Sequence, residues 1–382
     1  MPAIGIRGLG LVTSYGIGVE RAVQGLRAGR PGITPLTLFS LPFQDQIQVN
    51  QFDHAPFPPG EAGAPAILEA AVGEALAAAG PDAPDLRAAA LVVGTGGYLF
   101  AAEAEYRRHY VAGQLLPTPA LRAPGCFAQR IARDLGIDGP VFTLSTACSS
   151  SANALLVAAD LIRRGEVTRA LVLGIEGLSA VALTGFQSLM LLDPQGCRPF
   201  DAQRRGMQLG EAAGAVLLEA EDDATRTGDY LLGGANLCDI HHITSATPDG
   251  SAMRAVMEMA LADAGLRPEE IGVIKAHGTG SLDNDAAEAA AMRTLFGDAL
   301  PVFTGIKRYL GHTLGACGVV ELAAFLGCLR AGFIPPTAGF SAADPALRVT
   351  PLTAFRPATQ GAVMLNTFGF GGNYASLVIT HG

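Results

Sequence analysis

Cys148 lies among small residues at the junction between a β-prone run and an apolar helical run. Pro140-Val-Phe-Thr-Leu144 precedes this junction, and Ala154-Leu-Leu-Val-Ala-Ala-Asp-Leu-Ile162 follows it. A helix N-terminus offers free backbone N–H groups and a partial positive charge, which favour a thiolate over a thiol. A lone cysteine is more often a small buried core residue. The turn of small residues makes a nucleophilic role for Cys148 a serious alternative to a role in the core. Such a nucleophile requires a base or an acid from elsewhere in the chain.

Three glycine-rich clusters nearer the C-terminus carry further residues with catalytic chemistry. They read His277-Gly-Thr-Gly-Ser-Leu-Asp-Asn-Asp285-Ala-Ala-Glu288, Lys307-Arg-Tyr-Leu-Gly-His312-Thr-Leu-Gly-Ala-Cys-Gly-Val-Val-Glu321 and Asn366-Thr-Phe368-Gly-Phe370-Gly-Gly-Asn373. A single histidine at a strand end usually has a structural role. Two histidines in glycine-rich turns at predicted strand ends favour a functional site, because ligands of open α/β sheets bind there.

The elements that position these residues repeat between the two halves of the chain. Ala90-Leu-Val-Val-Gly-Thr-Gly-Gly97 is an apolar strand ending in a Gly-Thr-Gly turn, and Ile271-Gly-Val-Ile-Lys-Ala-His-Gly-Thr-Gly280 repeats the pattern. The strand and helix at Cys148 are matched by Pro301-Val-Phe-Thr-Gly305 and a helix from about Gly315. We therefore predict an α/β fold of two similar halves, residues 1–233 and 234–382, each with a mostly parallel sheet between helices.

The composition indicates an enzyme with a large core. Of 382 residues, 49% are hydrophobic and 16% are charged, which predicts an additional buried face at a subunit interface. The net charge of −9 argues against nucleic-acid or anionic-membrane binding. Because the six cysteines show neither CxxC pairs nor metal-ligand spacing, no metal site is predicted. The absence of a signal-peptide pattern and of a membrane-spanning apolar run predicts a cytoplasmic protein with reduced thiols.

The order and spacing of these motifs resemble those of the β-ketoacyl-ACP synthases, the decarboxylating condensing enzymes of fatty-acid and polyketide synthesis. This resemblance implies the thiolase fold, a five-layered α-β-α-β-α arrangement. It also implies a 3-oxoacyl-ACP synthase activity, with no bound cofactor and with substrates carried on the phosphopantetheine of acyl carrier protein. The matching motifs run through nearly the whole chain: Gly8-Leu-Gly-Leu-Val-Thr-Ser-Tyr-Gly16, Thr146-Ala-Cys148-Ser-Ser150, Arg198-Pro-Phe-Asp201, Gly210-Glu-Ala-Ala-Gly214, His277-Gly-Thr-Gly280, Lys307 with Gly311-His312, and Asn366-Thr-Phe-Gly-Phe-Gly-Gly372.

The resemblance also implies a catalytic role for residues of each cluster. Cys148 would carry the acyl chain, and the backbone amides of Cys148 and Phe370 would form the oxyanion hole. His277 and His312 would hold the thioester oxygen of malonyl-ACP during its decarboxylation. Lys307 matches the active-site lysine of the family, and we expect it to pair with Glu288 or Glu321, because a buried lysine requires a partner.

Further residues are assigned supporting roles by the same resemblance. Thr279 and Ser281 match positions that bind the pantetheine arm, and Phe370, beside Phe368, matches the residue that gates the acyl pocket. Asp285 is expected to stabilise its turn and the Lys307 network. Met207 stands where the family usually has an aromatic residue, so the acyl pocket is expected to have an unusual chain-length preference. The predicted basic patch for an acidic carrier protein comprises Arg204, Arg205, Arg107 and Arg108.

Three alternative functions remain open at this stage. An acyl-CoA thiolase would need a second cysteine in a late turn, where this chain has Phe368-Gly-Phe-Gly-Gly372, and Cys317 is discounted because it follows Gly315 on the helix. A chain-length factor, the non-catalytic partner of a ketosynthase heterodimer, would lack the nucleophile. An acyl-thioester hydrolase would need a base that activates water. The pathway, whether fatty-acid or specialised such as aryl-polyene assembly, the acyl chain length and the choice between homodimer and heterodimer are left undecided.

Overall fold

The computed structural model describes residues 2–43, 47–57, 63–80, 85–97, 103, 113, 124–221 and 228–382. Arg107 and Arg108 of the predicted basic patch lie outside the described residues. The α-helices of the described part are α1 (Val19–Arg27), α2 (Gly63–Ala78), α3 (Pro124–Asp134), α4 (Ser150–Arg163), α5 (Ala180–Ser188), α6 (Ser251–Ala264), α7 (Leu282–Phe296), α8 (Lys307–Leu310) and α9 (Cys317–Arg330).

The strands fall into a long sheet and two short pairs. They are β1 (Ala3–Thr13), β2 (Gly16–Ile17), β3 (Val49–Asn50), β4 (Ala90–Gly94), β5 (Val141–Leu144), β6 (Arg169–Glu176), β7 (Leu209–Gly210), β8 (Ala212–Glu221), β9 (Tyr230–Cys238), β10 (Ile271–Lys275), β11 (Val302–Thr304), β12 (Phe333–Ile334), β13 (Arg356–Pro357), β14 (Gly361–Phe368) and β15 (Asn373–His381).

The long sheet consists of two sets of strands with the same order and direction. Strands β5, β4 and β6 are parallel, and the antiparallel strands β8 and β1 complete the first set. Strands β11, β10 and β14 are parallel in the same way, followed by antiparallel β15 and β9. The two sets meet at the single pair Gly5–Tyr230. The predicted fold of two similar α/β halves is therefore confirmed.

The predicted boundary between the halves lies close to the start of the second set of strands. It falls between residues 233 and 234, inside β9, which pairs along its length with β15 of the second half. The second set of strands therefore begins at Tyr230. Within β9, Gly233 allows a close approach to the end of α6, because a Cβ there would lie 2.5 Å from the backbone N of Ala264.

Two helices form the middle layer of the molecule. Both α4 and α9 contact strands of the two sets, while α2 packs on the outer face of the first and α6 on that of the second. Helix α9 is buried from Cys317 to Leu329, with Glu321 as its only charged residue in that span. A helix that is apolar on every side belongs in a core, which explains its central place. The result is the predicted five-layered arrangement.

This arrangement brings the chemically active residues to one end of the sheets. Cys148 follows β5, His277 follows β10 and Phe370 follows β14, so each lies just beyond the carboxyl end of a strand. His312 follows α8, the short helix after β11. Within the described ranges, no helix has the length and apolar character required to cross a bilayer.

Candidate active site

Cys148 occupies a sharp turn between β5 and α4. Ala147, immediately before it, has φ of 51°, a left-handed conformation that is uncommon outside glycine. The hydroxyl of Ser150 accepts from the N–H of Thr146 (2.9 Å) and donates to the carbonyl of Ala147 (2.6 Å), which holds the turn in place. A strained residue held by neighbouring hydrogen bonds is typical of a functional turn.

The sulfur of Cys148 faces His312 across the interface between the two halves. Sγ lies 3.1 Å from Nε2 of His312, and both residues are buried. His277 lies beside His312, with ring centroids 5.3 Å apart and ring planes at 85°. The structure thus brings together the three residues that the glycine-rich motifs predicted, although they are widely separated in the sequence.

The resting state of Cys148 differs from the expected thiolate. Burial raises the pKa of its thiol to about 11, while Lys307 and the Phe370 backbone N–H only partly oppose this effect. The N-terminus of α4 does not stabilise a Cys148 thiolate as expected. Cys148 precedes Ser149, the N-cap of α4, and only 6% of Cys148 is exposed to water. Cys148 is therefore a thiol at neutral pH, with an imidazole nitrogen within reach of its proton.

Both histidines are held in the neutral form. Burial lowers the pKa of His277 and of His312 well below the usual range, and the nearby Lys307 lowers both further. The Nδ1 atoms of these rings have no hydrogen-bond partner among the described residues. No carboxylate therefore stabilises an imidazolium, and no partner on Nδ1 fixes which ring nitrogen carries the proton.

The backbone of the Phe368-Gly-Phe370 turn lies directly against Cys148. The backbone N–H groups of Phe370 and of Cys148 itself lie near the Cys148 sulfur, and both lower the pKa of the Cys148 thiol. Gly369 is required in this turn, because a Cβ there would lie 3.0 Å from the backbone N of Cys148. The two amides that the resemblance assigned to an oxyanion hole thus converge at the nucleophile.

The partner of Lys307 is Glu321, the second of the two that the sequence allowed. Lys307 donates from Nζ to Oε1 of Glu321, and both side chains are fully buried. Glu288 instead accepts from the backbone N–H groups of His277 (2.8 Å) and Gly278 (2.9 Å), which fixes the histidine turn. Burial raises the pKa of Glu288 to about 7.

Sequence reasoning missed Lys275, which lies in the same buried network. Its Nζ donates to Oε2 of Glu321 and to the backbone O of Asn366 (2.8 Å). A signal was present in the sequence: a single lysine inside the apolar run Ile271-Gly-Val-Ile-Lys275 must have a buried partner.

Asp285 supports its turn but does not belong to the Lys307 network. Its carboxylate accepts from the N–H groups of Phe200 (2.7 Å) and Gly280 (3.2 Å). The first half of the expectation is thus confirmed, and the second is wrong because the carboxylate points toward the Phe200 segment.

A pocket opens in front of Cys148 and contains most of the predicted substrate-binding residues. Thr279 and Ser281 line it with their hydroxyls 3.0 Å apart, and Phe368, Phe370 and Met207 form apolar parts of its wall. The Phe370 ring contacts that of Phe186, with centroids 5.7 Å apart. Met207 is buried in this wall, as its match to a pocket aromatic suggested.

The predicted basic patch is only partly correct. Arg204 is 5% exposed, pairs with Asp344 (2.6 Å) and donates to the carbonyl of Asp201 (3.1 Å), so it is a structural residue rather than a docking residue. Arg205 is exposed and lines the pocket mouth. In the described part of the chain, no group of three or more His, Cys, Asp or Glu side chains is arranged to hold a metal ion.

Family models match both halves of the chain. One described as "Beta-ketoacyl synthase, N-terminal domain" matches residues 1–224, and one described as "Beta-ketoacyl synthase, C-terminal domain" matches residues 231–341. Nodulation protein E of Rhizobium meliloti (strain 1021) is 36% identical over 299 residues, covering 75% of this chain and 73% of that protein. The chloroplastic 3-oxoacyl-[acyl-carrier-protein] synthase I of Hordeum vulgare is 30% identical over 416 aligned positions, covering 98% of this chain and 88% of the relative.

Solved structures with the thiolase fold superimpose on the whole chain. One, titled the ishigamide ketosynthase/chain length factor, has a TM-score of 0.89 at 31% identity and covers 100% of this chain and 99% of its own. Another is the ketosynthase ApeO in complex with its chain length factor ApeC from Xenorhabdus doucetiae. It has a TM-score of 0.84 at 30% identity and covers 100% of this chain and 98% of its own.

Proposed function

This chain belongs to the β-ketoacyl synthase family, and on that basis we propose that it is a β-ketoacyl-ACP synthase. The proposed reaction condenses acyl-ACP with malonyl-ACP to 3-oxoacyl-ACP, and it releases CO2 and the free ACP that delivered the acyl chain. The observation that carries the proposal is the contact of 3.1 Å between Sγ of Cys148 and Nε2 of His312, beside a second neutral histidine. A nucleophile, a proton acceptor and two converging amides are the groups that acyl transfer to a thiol requires.

In the first half-reaction, the Cys148 sulfur attacks the thioester carbonyl of acyl-ACP. His312 accepts the thiol proton, because the raised pKa of Cys148 leaves little thiolate at rest. The N–H groups of Cys148 and Phe370 stabilise the oxyanion of the tetrahedral intermediate. The C–S bond to the carrier then breaks, and the departing pantetheine thiolate takes the proton from His312.

In the second half-reaction, malonyl-ACP loses CO2 and its C–C bonding electrons move into an enolate. Neutral imidazole N–H groups of His277 and His312 donate to the thioester oxygen as negative charge develops on it. Each well-placed donor of this kind contributes about 3–4 kcal/mol to transition-state stabilisation. The enolate carbon attacks the acyl-Cys148 carbonyl, the Cys148 thiolate leaves, and it takes up one proton from solvent. Lys307 supplies a fixed positive charge near both rings.

The substrate arm is proposed to run along the pocket from its mouth to Cys148. Thr279 and Ser281 would bind the pantetheine, and Arg205 at the mouth would contact the carrier protein. Phe370 and Phe368 would gate the part of the pocket that holds the acyl chain. Met207 would determine the longest acyl chain that this part accepts. No bound cofactor is part of this proposal, since the carrier protein delivers both substrates.

The family resemblance supports a cytoplasmic dimer as the working form. The similar solved structures include ketosynthases with chain length factors, so both a homodimer and a heterodimer of this kind are compatible with the proposal. A role in fatty-acid synthesis or in a specialised pathway such as aryl-polyene assembly fits the same chemistry. Acyl-ACPs of graded chain length, assayed with and without a candidate partner subunit, would distinguish these alternatives.

The alternative functions fit the site less well. A chain-length factor is non-catalytic and would lack the nucleophile, whereas Cys148 is present here and contacts His312. The discounted second cysteine of a thiolase, Cys317, donates from Sγ to the Cys148 carbonyl (3.1 Å) and is fully buried at the start of α9. It therefore does not face the pocket.

Intact-mass analysis tests the proposed function. We expect an acyl adduct after incubation with acyl-ACP, which persists in buffer and disappears, with release of 3-oxoacyl-ACP, when malonyl-ACP is added. The Cys148→Ala variant should form no adduct, and the exposed-cysteine control Cys126→Ser should behave like wild type. An adduct that hydrolyses in buffer alone would favour a hydrolase. If the folded wild-type protein forms no adduct with acyl-ACP, the proposed synthase function is refuted.

A further inference from the structure

Lys275 is a buried cation without a role in the reaction steps above. It is the last residue of β10 and is 1% exposed. Its Nζ contacts Oε2 of Glu321, whereas the Nζ of Lys307 contacts Oε1 of the same carboxylate. Two ammonium groups therefore share one carboxylate inside the core.

This trio by itself carries a net charge of +1, and burying a net charge in a protein core is energetically unfavourable. A Lys307–Glu321 pair would already be neutral, and buried charges beyond such a pair cost free energy. The other nearby carboxylate, Glu288, uses its oxygens on the backbone N–H groups of His277 and Gly278. Because the pKa of Glu288 is about 7, this carboxyl is only partly ionised at neutral pH and does not fully offset the second ammonium group, so packing alone does not explain Lys275.

The position of Lys275 directs this charge toward the histidines. Lys275 and His277 are two residues apart at the end of one extended segment, so their side chains project to the same face. Through Glu321 it is joined to Lys307, five residues before His312 in the chain. Two acceptors, Glu321 and the Asn366 carbonyl, therefore hold the Lys275 cation in place at the end of the strand that leads into His277.

We propose that Lys275 is a positioning residue of the condensation, which fixes Glu321 against Lys307 and keeps His277 and His312 neutral. This inference rests on the proposed function. A neutral ring has an N–H for the thioester oxygen and, in its other tautomer, a lone pair for the Cys148 proton, whereas an imidazolium can only donate. In agreement with this geometry, Lys275 contributes, after burial and Lys307, to the lowered pKa of both histidines.

Several titratable groups lie in the network around the two rings and Cys148 or line the same pocket, so the test must separate them. They are Cys148 before α4, Glu176 of β6, Arg205 and His242 in loops, Lys275 of β10, Asp283, Asp285 and Glu288 of α7, Lys307 of α8, and Cys317 and Glu321 of α9. Burial raises the pKa of Glu288 to about 7, and Lys275 partly opposes this rise. Titration of Glu288 would therefore change the reaction rate over the same pH range as titration of the histidines. A direct measurement on the histidines is therefore required.

The experiment follows the imidazole ¹⁵N chemical shifts of the full-length protein from about pH 8 down to the lowest pH at which the protein stays folded. Variants His277→Gln and His312→Gln assign the signals. The charge-removing variant is Lys275→Met, and the matched charge-retaining control is Lys275→Arg. We expect the protonated fraction of each ring to rise about tenfold in Lys275→Met, equivalent to one pH unit in the midpoint, and to stay at the wild-type level in Lys275→Arg.

Malonyl-ACP decarboxylation provides the second readout. In Lys275→Met we expect kcat to fall with KM unchanged, and the loss to grow as the pH is lowered. Unchanged histidine signals in Lys275→Met, or equal losses in both variants at every pH, would overturn the proposal. If Lys275→Met does not fold, Lys275→Gln removes the charge while keeping a donor for the Asn366 carbonyl, and is read in the same way. A wild-type protein without decarboxylase activity would refute the proposed function alone, because the histidine signals still report on Lys275.

Discussion

The protonation state of Cys148 is decided by burial and by the groups in contact with its sulfur. Burial raises the pKa to about 11, and the partial opposition from Lys307 and the Phe370 N–H does not restore an ordinary value. The nucleophile therefore depends on His312, 3.1 Å away, at the moment of attack. An enzyme of this kind is reactive toward a bound thioester without keeping a reactive thiolate at rest.

We expect iodoacetamide to alkylate Cys148 at a rate that still rises with pH beyond about pH 9, because the thiolate is the reactive species. Free cysteine, with a pKa of about 8.5, serves as the reference reaction. Intact-mass analysis at each pH gives the rate, and Cys148→Ala identifies the site. A rate that has already levelled off by about pH 8 would show a preformed thiolate and contradict this prediction.

The two histidines should be separable by mutation. His277→Ala should lower malonyl-ACP decarboxylation by about 10²–10³-fold while leaving Cys148 acylation within a few-fold of wild type, because only the second half-reaction uses its donor. His312→Ala should slow both steps, since Nε2 of His312 contacts Sγ. Single-turnover acylation and decarboxylation assays measure the two steps. Normal acylation in His312→Ala would show that another group takes the thiol proton.

At the residue scale, the sequence identified groups that lie in short motifs of small or glycine residues and missed those defined by distant contacts. Cys148, His277 and His312 could be found because each motif has its own local signature. Lys275 could not be assigned a role, because its partner Glu321 is 46 residues away. Arg204 and Arg205 look equivalent in sequence, yet a salt bridge to Asp344, 140 residues away, buries only the first.

At the scale of elements, Arg204 ties the segment around Asp201 to the segment around Asp344. Arg204→Ala removes the hydrogen bonds to the partly exposed Asp344 and to the Asp201 carbonyl, so it should lower the free energy of unfolding by about 1–3 kcal/mol. Arg205→Ala, the exposed neighbour, should leave stability unchanged but raise KM for ACP-bound substrates. Urea unfolding and steady-state kinetics measure the two effects. A raised KM with unchanged stability in Arg204→Ala would reinstate it as a docking residue.

The two central helices α4 and α9 approach each other closely at Gly318. A Cβ at this position would lie 2.3 Å from the backbone N of Ala152. We expect Gly318→Ala to push the helices apart and to lower stability by about 1–3 kcal/mol. Because α4 follows Cys148 and α9 follows His312, acylation should slow as well. The control Gly185→Ala, with no atom near the added methyl group, should retain both properties. Equal behaviour of the two variants would refute the packing argument.

The elements themselves were largely predictable, since their signals are local. The helix predicted from about Gly315 begins at Cys317 in the structure, and the repeated strand pattern placed β4 and β10 in equivalent positions. The pairing of β9 with β15 was not predictable, because strand pairing is a long-range property.

On the scale of the whole molecule, the two matching halves differ at their outer strands. At the outer edge of β11, Phe303 accepts through its carbonyl from the Leu352 N–H (2.8 Å), and the strand is mostly buried. Its equivalent β5 pairs with β4 alone among the described strands, and Phe142 within it is 41% exposed. An open sheet edge with an exposed aromatic residue is a surface that requires protection from nonspecific pairing.

We therefore expect β5 to form the subunit interface of the proposed dimer. Phe142→Arg should abolish assembly with a second copy or with a ketosynthase-like partner, because it places a charge in the centre of that edge. Sedimentation velocity measures the assembled mass. Phe355→Arg, which alters a phenylalanine of similar exposure (46%), is the matched control and should assemble normally. Because β5 leads directly into Cys148, loss of assembly in Phe142→Arg should also lower acylation. An unchanged assembled mass in Phe142→Arg would place the interface elsewhere.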